Sequence, residues 1–415
     1  MKKLLGRRFT GRGLGRGALG LAAGVAALLV SMACASAASQ STTQSPKEVV
    51  LGVLMPLSGA SSLDGQNSLR GVQLEADTIN ARGGIKSMGG AKIKVVSVDA
   101  TSDPTTAVSA MQQLITNSKP LAVICCYSST LTQAVMPVAE RNNIPVISSS
   151  VADVLTNSNF QYIFDTAALS SQIGNAQIQL SQEVYTAAGR PIKKVAIVYE
   201  DGTFGSGNAA AQTKQATSNG LQVVLNEAYH AATLTDATPL AAKIKNAAPD
   251  AIYSTGYIND SVLLVRALKS DGVSAPIVGA IGGFVDPNFG TSLGAQANGV
   301  FAVNVADMTR FPELSKAYQS KYNDKLSATP LFTALMTDIF AEALETKATT
   351  DTTVLAQTMH THRFTKGLAG EMPGGFVDFG TSGRDSAAVV LLQQWQNGAL
   401  VTVWPLTAQT AKPIL

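Results

Sequence analysis

The sequence predicts an α/β protein of two lobes, each built on a doubly wound parallel sheet. Apolar runs of strand length alternate with amphipathic runs of helical spacing along most of the 415 residues. Such alternation predicts parallel strands with helices on both faces of the sheet. There are more of these units than one ordinary doubly wound sheet holds, and 46% of the residues are hydrophobic against 14% charged. We therefore expect two folded lobes with sizeable cores.

The first 38 residues have the order of a secretory signal peptide. Six basic residues and no acidic residue come before a short apolar run, and small residues follow that run. The run is shorter than the roughly 20 residues that span a membrane. We expect a periplasmic or other extracytoplasmic protein, with a flexible tether at residues 39–47. A lipid anchor at Cys34 stays an alternative, and so does twin-arginine export.

Removal of the signal peptide changes the charge balance. The whole chain has 31 basic and 28 acidic residues, and cleavage leaves 25 basic and 28 acidic residues, so the net charge goes from +3 to −3. A nucleic-acid-binding protein needs a basic face. We therefore expect no nucleic-acid partner.

The mature part predicts strands and helices in a regular order. The predicted strands are EVVLGVLMP (48–56), AKIKVVSVDA (91–100), LAVICCY (121–127), IPVISSS (144–150), KKVAIVYE (193–200), LQVVLNEAY (221–229), AIYSTGY (251–257) and APIVGAIG (275–282). Apolar spacing predicts a helix over 68–84 that stops at Gly83-Gly84. Asp103-Pro104 supplies an N-cap and a first helical residue. Asn397-Gly398 between two apolar runs predicts a hairpin.

Two adjacent cysteines, Cys125 and Cys126, remain after cleavage. Neighbouring residues of a strand point to opposite faces, which disfavours a normal disulfide between them. We interpret them as two small buried side chains, and their redox state stays open.

Five blocks of the sequence carry a family resemblance. They are GVLMPLSGASSLDGQNSLRGVQLEADTINARGGI, VDATSDPTTAVSAMQQLI, NIPVISSS, VAIVYEDGTFGSG and APDAIYSTGY, in this order. Together they resemble the type I periplasmic solute-binding proteins of ABC importers, in the branched-chain amino acid (Leu/Ile/Val-binding) group. The resemblance covers the chain from about residue 48 to the tail.

The resemblance implies two lobes joined by three crossovers that close on a solute like a hinged clamp. The first lobe would comprise residues 48–166 and 304–372, and the second residues 167–303 and 373–410. It also implies a monomer that catalyses no reaction, needs no cofactor, and delivers a small-molecule solute to the membrane permease and ATPase of an importer.

The resemblance also implies which residues bind the solute. Ser129 and Ser150 fall where the family holds the solute carboxylate. Phe204 and Tyr257 fall at aromatic positions that enclose the solute from the second lobe. Asp64, in the loop SGASSLDGQ, falls where the family often has a tyrosine. Its carboxylate would pair with a solute cation or shape a turn.

One position departs from the family. Amino-acid binders of this group carry an acid where this chain has Ile281, and that acid pairs with the α-ammonium. A buried ammonium without a counter-ion is costly. Either Asp64 or another acid replaces the contact, or the solute lacks an ammonium. The solute therefore stays open among branched-chain amino acids, aromatic or aliphatic carboxylates, and amides.

Residues 205–210, GSGNAA, fit a variant of the dinucleotide-binding fingerprint. In that motif the first glycine follows the strand directly, so that the helix N-terminus meets the pyrophosphate. Here residues 200–204 intervene, and Glu200 and Asp201 would repel a diphosphate. We expect the glycines to serve a tight turn instead.

Other motifs predict little chemistry. GTSLG at 290–294 fits a hydrolase elbow but lacks the strand that should precede it. His360 and His362 alone make a weak metal site, and we expect surface residues and no metal. Two alternatives remain: an extracytoplasmic sensor of amides or of aromatic or aliphatic acids with the same fold, and an exported α/β enzyme.

Overall fold

In the computed structural model, residues 46–156 and 159–415 are described. The predicted signal peptide, Cys34 and most of the predicted tether lie outside these ranges. The first part of the described chain forms a five-stranded sheet. Its elements are β1 (Glu48–Met55), α1 (Ser62–Ala81), β2 (Lys92–Asp99), α2 (Pro104–Ser118), β3 (Ala122–Cys125), α3 (Ser129–Arg141), β4 (Val146–Ser148) and β5 (Ile163–Asp165). The strand order is β2-β1-β3-β4-β5, and every adjacent pair is parallel.

The next part of the chain builds a second sheet. Its elements are α4 (Ser170–Ala187), β6 (Lys194–Glu200), α5 (Thr203–Ser218), β7 (Gln222–Tyr229), α6 (Thr238–Ala247), β8 (Ala251–Thr255), α7 (Ile258–Ser270), β9 (Ile277–Gly279), α8 (Pro287–Leu293) and β10 (Phe301–Asn304). These strands pair in parallel in the order β10-β9-β8-β6-β7.

The remaining chain returns to the first sheet and then to the second. It forms α9 (Pro312–Tyr322), α10 (Ala328–Thr346), α11 (Thr352–Thr361), α12 (Gly367–Glu371), β11 (Leu391–Gln396) and β12 (Ala399–Trp404). Helix α10 packs on α1, where the Thr333 hydroxyl donates to the Ser68 carbonyl at 2.8 Å. Strands β11 and β12 extend the second sheet in antiparallel fashion.

Three passages of the chain therefore connect the two sheets. We call β1–β5 with α1–α3 and α9–α12 the first lobe, and β6–β12 with α4–α8 the second lobe. The predicted α/β class with parallel sheets is confirmed, while the residue limits given for the lobes stay predictions. Side chains of β1 enter two separate apolar cores, Leu51 and Val53 in one and Leu54 in the other. A sheet that is buried on both faces explains why its strands are continuously apolar.

Two local predictions are confirmed in detail. The Asp103 carboxylate accepts a hydrogen bond from the Thr106 N–H at 2.8 Å, and Pro104 is the first residue of α2. Asn397 and Gly398 both have positive φ, 51° and 79°, as a type I′ turn between β11 and β12 requires. Both features depend on residues that are close neighbours in the sequence, which is why local patterns predict them.

The start of α1 corrects one prediction. Asp64 lies in the first turn of the helix and not in a loop, because α1 begins at Ser62. A Cβ atom on Gly65 would lie 2.1 Å from the Pro56 carbonyl oxygen. The glycine thus allows the first helical turn to pack closely on the end of β1. This tertiary contact is invisible in the apolar spacing that placed the helix start at residue 68.

The expectation that Cys125 and Cys126 do not pair is wrong in this structure. Cys125 and Cys126 form a disulfide with each other, and the peptide bond between them is cis. Strand alternation does not apply, because β3 ends at Cys125 and Cys126 already belongs to the following loop. Both side chains are buried, as expected.

A network of buried amides lies in the core of the second lobe. The Gln177 side chain of α4 accepts hydrogen bonds from the amides of Asn208 and Gln212, both at 2.7 Å, and donates to the Val278 carbonyl at 2.8 Å. Asn208 also donates to the Thr255 hydroxyl at 2.6 Å. These contacts tie α4 and α5 to the central strands and give hydrogen-bond partners to the buried side chain of Gln177 and to the amide N–H groups of Asn208.

Candidate ligand-binding cleft

A cleft lies where the loops that follow the strands of the two lobes face each other. The free volume inside it is about 50 Å³. Its walls combine five residues of the first-lobe loops, five of the second-lobe loops, and the start of α10. They are Tyr127, Ser129, Ser149, Val151 and Ala167; Phe204, Tyr257, Ile281, Gly282 and Val285; and Ala328, Thr329 and Phe332. Ligands of parallel α/β sheets bind at this carboxyl edge.

The first-lobe wall presents the N-terminus of α3. Its N-cap, Ser128, makes no side-chain capping bond. The first N–H groups of a helix lack intrahelical acceptors and carry a partial positive charge. The hydroxyl of Ser129 lies beside these groups and accepts a weak hydrogen bond from the Ala152 N–H at 3.3 Å. Together with Ser149 across the loop, this end of the cleft offers donors to an anion.

Ser150 lies behind the first-lobe wall. Its hydroxyl is 2.7 Å from the Thr132 hydroxyl and donates to the Tyr127 carbonyl at 3.2 Å. Its side chain is buried and is not among the cleft-lining residues. In this closed arrangement Ser150 joins the two loops that carry Ser129 and Ser149, and Ser149 is the serine of its loop that faces the cleft.

The second-lobe wall is aromatic. The ring centroids of Phe204 and Tyr257 are 5.9 Å apart, and Tyr127 of the first lobe lies at the same distance from Tyr257. The Tyr257 hydroxyl reaches across the cleft to the Ser128 hydroxyl at 3.4 Å. The backbone N–H of Thr203 likewise donates to the Thr130 hydroxyl at 3.2 Å. The two lobes are therefore in contact at the mouth of the cleft.

Asp260 holds Tyr257 in place. Its carboxylate accepts hydrogen bonds from the Tyr257 N–H at 3.1 Å and from the Tyr229 hydroxyl at 2.6 Å. Burial raises the pKa of Asp260 to about 6, against the opposing effect of the Tyr229 hydrogen bond. No local sequence pattern marks Asp260, since it acts on the cleft through the backbone of Tyr257.

The loop from Glu200 to Gly205 excludes a dinucleotide pyrophosphate. The Glu200 carboxylate turns back and accepts hydrogen bonds from the N–H groups of Gly202 at 2.7 Å and Gly205 at 2.5 Å. These are the donors that a diphosphate would need at the start of α5. Burial raises the pKa of Glu200 and the two N–H groups oppose that shift. A Cβ atom on Gly205 would also lie 2.0 Å from the Glu200 carbonyl oxygen.

Asp64 lies behind Tyr127 in the first turn of α1 and is only 2% exposed. Burial, and then the negative charge of Asp286, raise the pKa of Asp64 to about 8, while the nearby Tyr127 hydroxyl lowers it. Asp64 is not one of the cleft-lining residues; it contacts the cleft through Tyr127. Of the five residues predicted for the site, Ser129, Phe204 and Tyr257 line the cleft, and Asp64 and Ser150 lie behind it.

Ile281 lines the cleft at the position where the family resemblance led us to look for an acid. It lies among Phe204, Val285 and Phe332, so this part of the wall is apolar. Ala328 and Phe332 also contribute, although they are more than 120 residues distant from Phe204 in sequence. No local pattern marks them, because α10 reaches the cleft only through the return of the chain to the first lobe.

Within residues 46–156 and 159–415, no group of three or more His, Cys, Asp and Glu side chains could hold a metal ion. His360 and His362, expected on the surface, are half-buried. The His360 ring contacts the carbonyl oxygen of Gly380 through Nδ1 at 2.6 Å and that of Gln161 through Nε2 at 2.9 Å. The Nε2 atom of His362 lies 2.9 Å from a carboxylate oxygen of Glu342. Their contacts are structural.

Two α/β lobes with a cleft between them, lined by residues of both, are the architecture of a binding protein of the clamp type. The family model of periplasmic binding proteins matches residues 48–399, and the chain belongs to this family. The Leu/Ile/Val-binding protein homolog 8 of Brucella melitensis biotype 1 is 30% identical over 384 residues, which cover 89% of this chain and 94% of the relative. The predicted type I, Leu/Ile/Val-binding group is thus confirmed, and its members are binding proteins and not enzymes.

Solved structures share the fold. The substrate-binding protein LivJ of Streptococcus pneumoniae, in complex with isoleucine, is 25% identical with a TM-score of 0.75, covering 85% of this chain and 98% of its own. A solute-binding protein of an ABC transporter from R. palustris, in complex with benzoate, is 20% identical with a TM-score of 0.74, covering 86% and 95%. Family membership implies an extracytoplasmic location. None of the helices in the described ranges is long and apolar enough to cross a bilayer.

Proposed function

We propose that this protein is the extracytoplasmic solute-binding component of an ABC importer. It clamps a small carboxylate-bearing solute between its lobes and delivers it to a membrane permease driven by an ATPase. The observation that carries the proposal is the cleft between the lobes, with hydroxyl and N–H donors on one wall and aromatic side chains on the other. An apolar lining with a few convergent polar groups is typical of small-molecule sites.

The solute carboxylate binds at the N-terminus of α3. Ser129 and Ser149 provide hydroxyl donors there, and the uncapped first turn provides backbone N–H groups. Charge-assisted hydrogen bonds to an anion are about twice as strong as neutral ones. Ser150 supports the anchor indirectly by holding the two loops together.

The body of the solute is apolar. Phe204, Tyr257 and Ile281 surround the middle of the cleft, and Val285 and Phe332 complete the wall. Branched aliphatic chains and aromatic rings both suit such a lining. The ligands of two structural relatives, isoleucine and benzoate, belong to these two chemical types. The solute class is therefore a branched-chain amino acid or a related aliphatic or aromatic carboxylate.

Thermal-shift measurements on the purified protein test the proposal. The panel contains leucine, isoleucine, valine, benzoate, hexanoate and butyramide. A solute at 100 times its Kd stabilises the folded state by about 2.7 kcal/mol, which raises Tm by several degrees. We expect at least one carboxylate to do so. If none of the panel raises Tm, or if the protein turns over any of these compounds, the proposal is wrong.

Calorimetric titration with the best solute then tests the anchor. Ser129→Ala should weaken binding about tenfold, since a charged partner loses one hydrogen bond. Ser109→Ala is the matched control, because Ser109 is exposed on α2 of the same lobe. Equal affinity of the two variants would contradict the role of Ser129. Uptake of the labelled solute by cells with and without the gene tests delivery to the importer.

A further inference from the structure

Asp165 carries a carboxyl group that is buried at the point where the chain leaves the first lobe. It is the last residue of β5 and is only 1% exposed. Within residues 46–156 and 159–415, neither of its carboxyl oxygens accepts a hydrogen bond of ordinary length and angle. Buried polar groups are nearly always hydrogen-bonded, so this carboxyl group calls for a physical explanation.

Two of the three passages between the lobes meet at Asp165. Residues 166–169 lead from it to α4 of the second lobe, and residues 372–390 lead from α12 of the first lobe to β11 of the second. The Asp165 N–H donates to the Gly383 carbonyl at 2.7 Å, and the Asp165 carbonyl accepts the Asp385 N–H at 2.9 Å. Hinges absorb the rotation of domains at a few such element-terminal residues. Asp165 therefore lies in the hinge of the clamp.

Neighbouring contacts link the lobes at the same point. The Arg384 guanidinium, in the third passage, donates to the Asp153 carbonyl at 2.9 Å. The Asp153 carboxylate accepts hydrogen bonds from the Ser171 N–H at 2.8 Å and from the Ser171 hydroxyl at 2.5 Å. Asp153 follows β4 of the first lobe, and Ser171 is in the first turn of α4. Charged side chains thus lie beside the passages that must turn when the lobes move.

The surroundings of Asp165 disfavour its ionised form. Burial raises the pKa of Asp165 to about 7, and the nearby Ser148 hydroxyl and the Arg384 charge oppose that shift. The other titratable side chains on the segments that pack at this point are Asp153, His360 and Asp385. An ionised carboxylate without donors is costly to bury, whereas the protonated form is far less so.

We propose that Asp165 is a proton switch in the hinge: the protonated side chain favours the closed lobes, and loss of its proton to solvent favours opening. This inference rests on the proposed function and adds a regulation of the same cleft. When the lobes part, the two passages turn, and water and the Arg384 guanidinium can stabilise the carboxylate. Only the closed form encloses the solute, so the affinity for the solute falls as the pH rises. The fall begins above the ordinary pKa of 3.8 and ends at about pH 7, where Asp165 is ionised in the closed form as well.

Calorimetric titration of the full protein with the best solute of the panel, at pH 5.5, 6, 7 and 8, tests the switch. Asp165→Asn has nearly the same shape as the wild type and stays neutral at every pH. The Kd of the wild type divided by that of Asp165→Asn should grow about tenfold between pH 5.5 and pH 8, mostly below pH 7. Other buried acids beside the cleft, such as Asp64, titrate in both proteins and cancel in this ratio. Asp165→Ala, which removes the carboxyl group, should give the same growth.

Proton uptake gives a second readout, which a purely structural role of Asp165 would not produce. Titrations at pH 6 in buffers of different ionisation enthalpy measure the protons taken up per solute bound. The wild type should take up close to one proton more than Asp165→Asn. Asp77→Asn, a control on α1 whose side chain is 69% exposed, should match the wild type in both measurements. Thermal melts establish that each variant is folded.

The outcomes separate the hinge from the cleft. A Kd ratio that does not change with pH overturns the inference and leaves the proposed function intact. Equal proton uptake by the wild type and Asp165→Asn overturns it too. Failure of every solute of the panel to bind counts against the inference together with the proposed function.

Discussion

Replacing Asp64 by Asn should stabilise the ligand-free protein, and more so as the pH rises. Burial and the charge of Asp286 raise the pKa of Asp64 to about 8 from its ordinary value of 3.8. The ionised carboxylate is therefore disfavoured in the closed fold. The stability that the protonated Asp64 side chain contributes is complete below about pH 4 and is lost as the pH rises through about 8.

The magnitude follows from the two pKa values. One pKa unit is worth about 1.4 kcal/mol, so ionisation of Asp64 in the unfolded chain alone lowers the free energy of unfolding by about 1.6 kcal/mol at pH 5 and about 4 kcal/mol at pH 7. These are upper limits, because opening of the lobes lets water reach the carboxylate and relieves part of the cost. An asparagine has nearly the same shape and carries no charge. The free energy of unfolding of Asp64→Asn should therefore exceed that of the wild type by an amount that grows with pH.

Urea unfolding at pH 5, 6, 7 and 8 measures this difference. Other buried acids, such as Glu75 with a pKa of about 8, titrate in both proteins and cancel in the comparison. The exposed Asp77→Asn should show a difference near zero at every pH. A difference for Asp64→Asn that is constant or falls with pH would refute the electrostatic reasoning.

Three further substitutions probe the second lobe. Phe204→Ala should weaken binding of the best solute about tenfold while the lobe stays folded, because the ring is part of the cleft wall and packs on Tyr257; unchanged affinity in calorimetry would assign Phe204 to packing alone. Gln177→Ala should lower the free energy of unfolding by about 3 kcal/mol, since it leaves buried amides unpaired; a loss below about 1 kcal/mol in urea melts would show that the network relaxes. Gly205→Ala should lower Tm, because its Cβ atom meets the Glu200 carbonyl oxygen at 2.0 Å; a wild-type melt would contradict that close approach.

Much of the fold could be predicted because its signals are local. The apolar runs marked eight of the ten described strands that pair in parallel and missed the short β5 and β10, and Asp103 and the Asn397-Gly398 pair marked a helix start and a hairpin. The start of α1 was missed by six residues. Its first turn depends on the contact of Gly65 with Pro56 across a loop, which no helical spacing encodes.

The site was only partly predictable. The loops after β3 and β4 were singled out by their hydroxyl residues, yet the structure puts Ser149 rather than Ser150 on the cleft wall. Which of two neighbouring serines faces a cleft depends on the turn of the backbone after the strand. Asp286 attracted no notice, because from the sequence it is simply the N-cap of a short helix.

The sequence by itself determined the alternation of strands and helices and the class of the fold, and it predicted from Glu200 and Asp201 that the loop before α5 does not bind a dinucleotide. Each of these follows from residue types and their spacing within short segments of the sequence. Only the tertiary structure decided that Asp64 and Asp286 meet beside Tyr127, that α10 closes the cleft with Phe332, and that Cys125 and Cys126 pair. The contacts at the cleft depend on how distant parts of the chain bring the two lobes together. The pairing of the cysteines depends on where β3 ends.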